Sequence, residues 1–149
     1  MKTYIVKVDD YGTKRWYLDD KLHCEDGPAI EYYDGNKCWY LNDKRHRTDG
    51  PAVEYDTGSK YWYLDGKLHC EDGPAVECYT GTKLWYLDGK RHRVDGPAVE
   101  CYTGTKLWYL GGVKYTEADW RKQLQKKVKA PCVGKVIEID GVKYKLVEA

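Results

Sequence analysis

The chain has 149 residues, and with 42% hydrophobic and 33% charged residues its composition predicts one globular, soluble domain rather than a disordered chain. The 25 Lys and Arg residues nearly balance 24 Asp and Glu residues, and a net charge of +1 excludes a nucleic-acid binder of the simple, strongly basic kind. No apolar run approaches the roughly 20 residues of a membrane span, and no secretory signal is visible at the N-terminus.

A 23-residue repeat occupies most of the chain. Eleven of the 23 positions are identical in all four full repeats, and no insertion disturbs the period. Such a pattern predicts one supersecondary unit stacked on copies of itself. After a partial repeat over 1–22, we number the repeats 1 (23–45), 2 (46–68), 3 (69–91) and 4 (92–114). The recurring residues that we interpret as structural are Trp16, Trp39, Trp62, Trp85, Trp108, His23, His46, His69 and His92.

Each repeat is expected to contain two short strands, as repeat 3 illustrates. Residues 74–78 and 83–87 are rich in β-branched and aromatic side chains, which favour strands. The intervening Tyr79-Thr80-Gly81 fits a three-residue turn with a glycine bulge, where glycine adopts a positive φ. In that register Glu77 lies opposite Lys83, a favourable pair of opposite charges.

A second hairpin follows in the same repeat. Asp88-Gly89 is a typical type I′ turn, and it places Trp85 opposite His92 and Tyr86 opposite Arg91. Asp-Gly-Pro then breaks the ladder and begins the next repeat. The predicted fold is therefore mainly β, an elongated antiparallel meander or solenoid of hairpins. About ten strands at ~4.8 Å each give a ribbon on the order of 45–50 Å long over residues 1–113.

The remaining residues, 114–149, have a different pattern. Thr116 with Asp119 three positions later predicts the start of a helix over 117–129. A hairpin is predicted over 136–146. Because the open end of a solenoid needs a cover, we expect the helix and hairpin to cap the ribbon.

This C-terminal segment is also more basic than the rest of the chain. It carries nine Lys and Arg residues against five Asp and Glu residues, a balance of +4, which leaves −3 for the repeats. The basic helix either forms a solvated face or binds an anionic partner. Its basic residues are Arg121, Lys122, Lys126, Lys127 and Lys129.

The repeat resembles the variant form of the MORN repeat over about residues 5–113. The matching residues in one unit are Gly66, Lys67, His69, Gly81 and Trp85. This chain departs from the usual pattern after histidine: the family typically reads His-Gly-x-Gly, whereas here Cys or Arg follows the histidine and Asp-Gly-Pro-Ala comes after it. Repeats of this style are similar to those of bacteriophage and other viral proteins. The resemblance implies an elongated β-sheet used for protein or lipid contact, and it implies no catalytic residue.

The cysteines and histidines are not spaced for shared chemistry. Equivalent residues of successive repeats lie two strands apart, about 10 Å, too far for one zinc ion or for a disulfide between Cys78 and Cys101. The neighbouring His69 and Cys70 point to opposite faces of a strand, and we expect the His69 ring to bond Asp72 in its own turn. We predict no catalytic residue, metal or cofactor, and cysteines that act as small apolar residues in a reducing compartment such as the cytoplasm.

A 46-residue period is superimposed on the shorter one. The histidines of repeats 2 and 4 are flanked by arginines, whereas those of repeats 1 and 3 lie between leucine and cysteine. In the predicted register both arginines share a face with a tyrosine, and such clusters can hold phosphates or bases. The alternative is a duplicated 46-residue unit in which Arg and Glu form ion pairs between repeats. The clusters, about 20 Å apart, are Tyr40, Arg45 and Arg47, and Tyr86, Arg91 and Arg93.

Two function classes follow. The first is a non-enzymatic interaction protein, whose ribbon presents the Tyr, Trp and Arg side chains enriched in interface hot spots. With the resemblance above, this predicts a phage protein in the host cytoplasm that binds and inhibits or scaffolds a host protein such as a defence factor. The second is a nucleotide or nucleic-acid binder that uses the Arg/Tyr clusters and the basic helix. No phosphate-loop, deaminase or hydrolase motif points to an enzyme, and an open sheet edge offers a route to a homodimer.

Overall fold

A computed structural model describes residues 3–128, 136–139 and 142–145, and these residues are mainly β with one helix. The predicted antiparallel meander is confirmed, because eleven strands form one continuous order of hydrogen-bonded neighbours and a twelfth pairs with the second strand. We call this open sheet the main sheet. Three two-stranded ladders, over residues 40–45, 63–68 and 86–91, leave it as small side hairpins, and residues 136–139 pair with 142–145.

The strands of the main sheet begin with β1 and end with β18. In chain order the elements are β1 (Ile5–Val8), β2 (Lys14–Leu18), β3 (Lys21–Leu22), β4 (Ile30–Glu31), β5 (Lys37–Cys38), β6 (Tyr40–Leu41), β7 (Lys44–Arg45), β8 (Val53–Glu54), β9 (Lys60–Tyr61), β10 (Tyr63–Leu64), β11 (Lys67–Leu68), β12 (Val76–Glu77), β13 (Lys83–Leu84), β14 (Tyr86–Leu87), β15 (Lys90–Arg91), β16 (Val99–Glu100), β17 (Lys106–Leu110), β18 (Val113–Tyr115), α1 (Glu117–Val128), β19 (Val136–Ile139) and β20 (Val142–Lys145).

The turn between the two main-sheet strands of each repeat has the predicted form. In repeat 3, Glu77 pairs with Lys83, and the Cys78 N–H donates to the Thr82 carbonyl at 2.9 Å to close a three-residue turn. Gly81 ends that turn with a φ of +93°. Only glycine adopts this conformation without a steric penalty, which explains why a glycine occurs here in every repeat.

The second strand is shorter than the sequence suggested in repeats 1 to 3, whereas in repeat 4 it runs unbroken over Lys106–Leu110. A continuous strand over 83–87 was predicted, but the ladder breaks at Trp85. The Trp85 N–H donates to the Ala98 carbonyl at 2.9 Å, and its own carbonyl accepts the His92 N–H at 3.1 Å. Trp85 therefore hydrogen-bonds to the residues at both ends of the segment 93–97. This segment leaves the strand ladder, and we call it the excursion. That excursion ends in Pro97, which has no N–H with which to extend a ladder.

The chain beyond Trp39, Trp62 and Trp85 forms a side hairpin in each case. Tyr86 pairs with Arg91, as predicted, around a type I′ turn in which Asp88 and Gly89 have φ angles of +49° and +77°. Successive side hairpins are themselves connected. The Gly89 N–H donates to the Leu68 carbonyl of the preceding hairpin at 2.9 Å, so the side hairpins form a second row along the main sheet.

A small core lies where these two rows meet. Main-sheet residues form its buried centre, and side chains of the side hairpins, among them two tyrosines, pack against it. One cluster consists of Ile30, Cys38 and Val53, with Leu22, Tyr40, Tyr61 and Tyr63 packed against them. Buried apolar side chains continue along the later repeats at Ala75, Val76, Ala98 and Val99.

The predicted helix is confirmed over Glu117–Val128. Thr116 Oγ1 accepts the Asp119 N–H at 3.2 Å, the expected cap. The helix packs against β17 and β18, and the buried Trp120 indole N–H donates to the Arg93 carbonyl at 3.0 Å. The predicted hairpin strands are present over Val136–Ile139 and Val142–Lys145, and Glu138 pairs with Lys143. Its turn, Lys129 and residue 146 lie outside the described residues, as do the hairpin side chains on which a capping role depends.

Candidate functional site

Two arginines are each held by a pair of tyrosines, and we call these groups the Tyr–Arg clamps. Arg45 lies opposite Tyr40 in a side hairpin; its Nε donates to the Tyr40 hydroxyl at 3.2 Å and its Nη1 to the Tyr63 hydroxyl at 3.5 Å. The Arg45 guanidinium carbon also lies 5.3 Å from the centre of the Tyr63 ring. This clamp therefore ties one side hairpin to the next.

The second clamp repeats this geometry 46 residues later. Arg91 Nε donates to the Tyr86 hydroxyl at 3.1 Å, and Nη1 donates to the Tyr109 hydroxyl at 3.3 Å. The Tyr109 ring centre is 5.3 Å from the guanidinium carbon. The structure thus brings Tyr40 and Arg45 together, and Tyr86 and Arg91 together, as the register predicted.

The clamps hold a half-buried positive charge without a carboxylate. Among the described residues, neither Arg45 nor Arg91 forms an ion pair with an acidic side chain. The hydrogen bond that Arg91 donates to the Tyr86 hydroxyl is the main cause of a raised pKa for Arg91, and burial opposes it. Burial is the largest influence on Arg45 and lowers its pKa, but the hydroxyls of Tyr40 and Tyr63 outweigh it and the net shift is upward. Both guanidinium groups stay charged and are chemically suited to bind an anion.

The other two arginines of the predicted clusters have different surroundings. Arg47 lies with its guanidinium carbon 4.0 Å from the centre of the Trp39 ring rather than beside Tyr40. Its Nε donates to Asp49 at 2.9 Å and its Nη1 to Glu54 at 2.9 Å. The predicted common face for Arg45 and Arg47 was therefore wrong, because the chain leaves the strand ladder at the histidine between them.

Arg93 repeats this arrangement in repeat 4. Its guanidinium carbon lies 3.9 Å from the Trp85 ring centre, and it bonds Asp95 at 2.8 Å and Glu100 at 2.9 Å. Arg47 and Arg93 are thus neutralised by acidic residues of their own chain. These ion pairs lie within one repeat, whereas the alternative hypothesis placed such pairs between repeats.

The histidines connect neighbouring hairpins. His69 Nδ1 lies 3.0 Å from Asp88 Oδ1, nineteen residues further along the chain, and His46 has the same relation to Asp65. The partner of His69 is therefore the turn of the next side hairpin, and the expectation that it bonds Asp72 was wrong. In the last repeat glycine occupies the aspartate position, and the Gly111 N–H donates to the ring of His92 at 3.0 Å.

An exposed row of tyrosines lies at the main-sheet turns and was not singled out from the sequence. Tyr33, Tyr79 and Tyr102 occupy the first position of the glycine turns of repeats 1, 3 and 4, where repeat 2 has Asp56, and each is 70% exposed or more. The turns are bonded to one another: Ser59 Oγ accepts the Tyr79 N–H at 3.0 Å, and Thr82 Oγ1 accepts the Tyr102 N–H at 3.2 Å. We call these three residues the tyrosine edge.

The basic residues of α1 are exposed and separate from the clamps in the chain. Arg121 pairs with Glu117 at 2.6 Å and Lys122 with Asp119 at 3.6 Å, both along the helix. Lys126 is exposed as well. The helix therefore offers a solvated face on which two of three predicted binding residues already have acidic partners.

The tyrosines that complete the clamps, Tyr63 and Tyr109, were also missed from the sequence. The signal was present, because a tyrosine follows each repeated tryptophan and lies 23 residues from the one predicted.

No protein-family model matches the chain, and no curated protein shows significant sequence similarity to it. In the part of the chain that the structure describes, we find no helix with the length and apolar character needed to span a bilayer.

Proposed function

We propose that this chain is a non-enzymatic protein-interaction module. The observation that carries this proposal is the tyrosine edge. Tyrosine is one of the residues most enriched in binding hot spots, since it buries a large surface at a low cost in side-chain entropy. Bonds between neighbouring turns preorganise Tyr79 and Tyr102, which lowers the ordering cost of association.

The chemistry of the edge favours a protein over a charged ligand. The turns of repeats 3 and 4 read Tyr-Thr-Gly and contain no charged side chain, whereas Asp34 follows Tyr33 in repeat 1 and Asp56 begins the turn of repeat 2. Depletion of charge at the centre of a surface is typical of protein–protein interfaces. The resemblance to phage repeat proteins makes a bacterial host protein, such as a defence factor, the first class of partner to test, with inhibition or scaffolding as the consequence.

The test compares two sets of substitutions in the same three turns. One variant changes Tyr33, Tyr79 and Tyr102 to Ser, and the matched control changes Asp34, Thr80 and Thr103 to Ala. A partner captured from bacterial lysate is purified, and its Kd for each form is measured by calorimetry. We expect a loss of at least tenfold for the tyrosine variant and less than twofold for the control. Equal affinities for both variants would overturn the proposal.

A second candidate function rests on the Tyr–Arg clamps. Their charges have no acidic partner among the described residues, so we propose nucleotide or nucleic-acid binding as the alternative. Fluorescence anisotropy with a single-stranded oligonucleotide, at 50 and 200 mM salt, tests it. Salt-dependent binding that is lost in Arg45→Gln/Arg91→Gln but kept in Arg121→Gln/Lys122→Gln/Lys126→Gln supports the clamps. The reverse result assigns binding to the helix.

A further inference from the structure

The stacked arginines reveal a binding arrangement that recurs in each repeat. Arg93 rests on the Trp85 ring, donates to Asp95 and Glu100, and reaches the Pro97 carbonyl at 3.2 Å. Arg47 makes the same four contacts one 46-residue period earlier. Tryptophan, aspartate, proline and glutamate occupy these positions in every full repeat. Four residues of fixed spacing therefore form a complete receptor for a guanidinium group.

Repeat 3 has the receptor but not the arginine. Cys70 stands where Arg47 and Arg93 stand in repeats 2 and 4, and the receptor residues are Trp62, Asp72 and Glu77. Among the described residues, the side chains of Asp72 and Glu77 have no ion pair or hydrogen bond of their own. Two carboxylates beside a half-buried tryptophan thus lack the cation that their equivalents bind.

The space above this receptor is open. A Cβ atom built on Gly96 would lie 2.9 Å from the guanidinium carbon of Arg93, because that group covers the glycine. At the equivalent Gly73 the nearest atom is the Cys70 sulfur, at 4.0 Å. Trp62 and Asp72 line a surface cavity of about 440 Å³ at this point. A planar group the size of a guanidinium can therefore enter from solvent.

We infer that Trp62, Asp72 and Glu77 form a binding site for the guanidinium group of an arginine side chain on the partner protein. This inference rests on the proposed interaction function. Arginine fits better than lysine, because its planar group stacks on an aromatic ring while its separate N–H donors reach two carboxylates. In repeat 1 the corresponding Glu31 already lies 3.9 Å from Lys14 Nζ, so the inference is confined to repeat 3.

The probe is the peptide acetyl-Gly-Arg-Gly-amide, compared with the same peptide carrying lysine or citrulline. Binding is followed by NMR through the ¹⁵N-indole signal of Trp62, assigned by its disappearance in Trp62→Phe. We expect a saturable shift with the arginine peptide, at least fivefold weaker binding of the lysine peptide, and no saturable shift with citrulline, which is uncharged.

Three variants make the test specific. Cys70→Arg supplies the missing group from the chain itself, so it should weaken peptide binding at least tenfold while raising Tm. Cys70→Ala should change binding less than twofold. Arg93→Cys should open a second site, visible as a new peptide-dependent shift of the Trp85 indole. Equal binding of the three peptides, or equal binding by Cys70→Arg and Cys70→Ala, would overturn the inference.

Different results would contradict the arginine site and the proposed interaction function. If the peptide does not bind but a partner still depends on the tyrosine edge, only the arginine site is wrong. If the peptide binds as expected and substitution of the tyrosine edge leaves every partner unaffected, the site stands and the proposed interaction surface is wrong.

Discussion

At the scale of single residues, the stacked arginines show how one side chain can tie a loop to a sheet. Arg93 is only 19% exposed, and it joins the excursion over 93–97 to the Trp85 ring and to Glu100 in the main sheet. An exposed ion pair contributes little because water and salt screen it. Here the ring contact and the partial burial of the arginine reduce that screening.

We therefore expect Arg93→Ala to lower the free energy of unfolding by about 1–2 kcal/mol, since it removes a cation–π contact and leaves Glu100 without its partner. Urea denaturation measures this change. The control is Arg121→Ala, whose pair with Glu117 is exposed on the helix and whose loss should cost less than about 0.5 kcal/mol. Equal effects of the two substitutions would contradict the argument.

Arg93 also influences the pKa of Asp95. The hydrogen bond from Arg93 is the main cause that lowers the pKa of Asp95 below its ordinary value. A carboxyl group with a lowered folded-state pKa stabilises the fold above its unfolded-state pKa, and this stabilisation is lost as the pH falls through the folded-state pKa. In Arg93→Ala we expect the pKa of Asp95 to rise towards that of an ordinary aspartate.

An NMR titration of side-chain carboxyl carbons tests this expectation. Asp49 is the internal control, because its pKa is lowered by Arg47, which the substitution leaves in place. An unchanged pKa for Asp95, or equal rises for Asp95 and Asp49, would show that Arg93 is not the cause.

The sequence predicted the contact between residues that lie in a regular strand ladder, and it failed for a residue beyond the end of one. Tyr40 and Arg45 face each other within a regular hairpin, so alternation and turn length were sufficient to pair them. Arg47 follows a residue at which the ladder ends. Beyond that point side chains no longer alternate between two faces, and only the path of the loop brings Arg47 onto the Trp39 ring.

At the scale of elements, turn glycines fix the path of each repeat. Gly89 has a φ of +77°, and a Cβ built on it would lie 3.7 Å from the Lys67 Cβ of the preceding hairpin. We expect Gly89→Ala to cost about 1 kcal/mol, mainly through the strain of that backbone conformation. The matched control is Gly73→Ala, where the nearest atom would be 4.0 Å away. Tm values distinguish the two, and equal Tm values would refute a conformational role for Gly89.

Some elements are determined by residues close to them in the sequence, and others by residues further away in it. Turn glycines and the capping threonine act within a few residues, and they located the hairpins and the helix start correctly. The break at Trp85 depends on Ala98 and His92, which bond it from the far side of an excursion. A window of strand-forming residues contains no information about that excursion, which explains why 83–87 was predicted as one strand.

At the scale of the whole molecule, stability is expected to be a sum of neighbour contacts. Each histidine bonds the next hairpin, each main-sheet turn is bonded to the one beside it, and each stacked arginine rests on the tryptophan of the preceding repeat. Repeat proteins of this kind transmit a perturbation mainly to adjacent units. A substitution at one end should consequently leave the other end intact.

The helix offers the clearest test, because one residue anchors it. Trp120 is 7% exposed, and its indole N–H bonds the Arg93 carbonyl. A 12-residue helix is marginal without tertiary contacts, so Trp120→Ala should cost about 3 kcal/mol and melt α1. Circular dichroism should lose its helical signal, while amide exchange in repeats 1 and 2 stays unchanged. Lys126→Ala, on the exposed surface, is the control. Loss of protection throughout the main sheet would show instead that the ribbon unfolds as one unit.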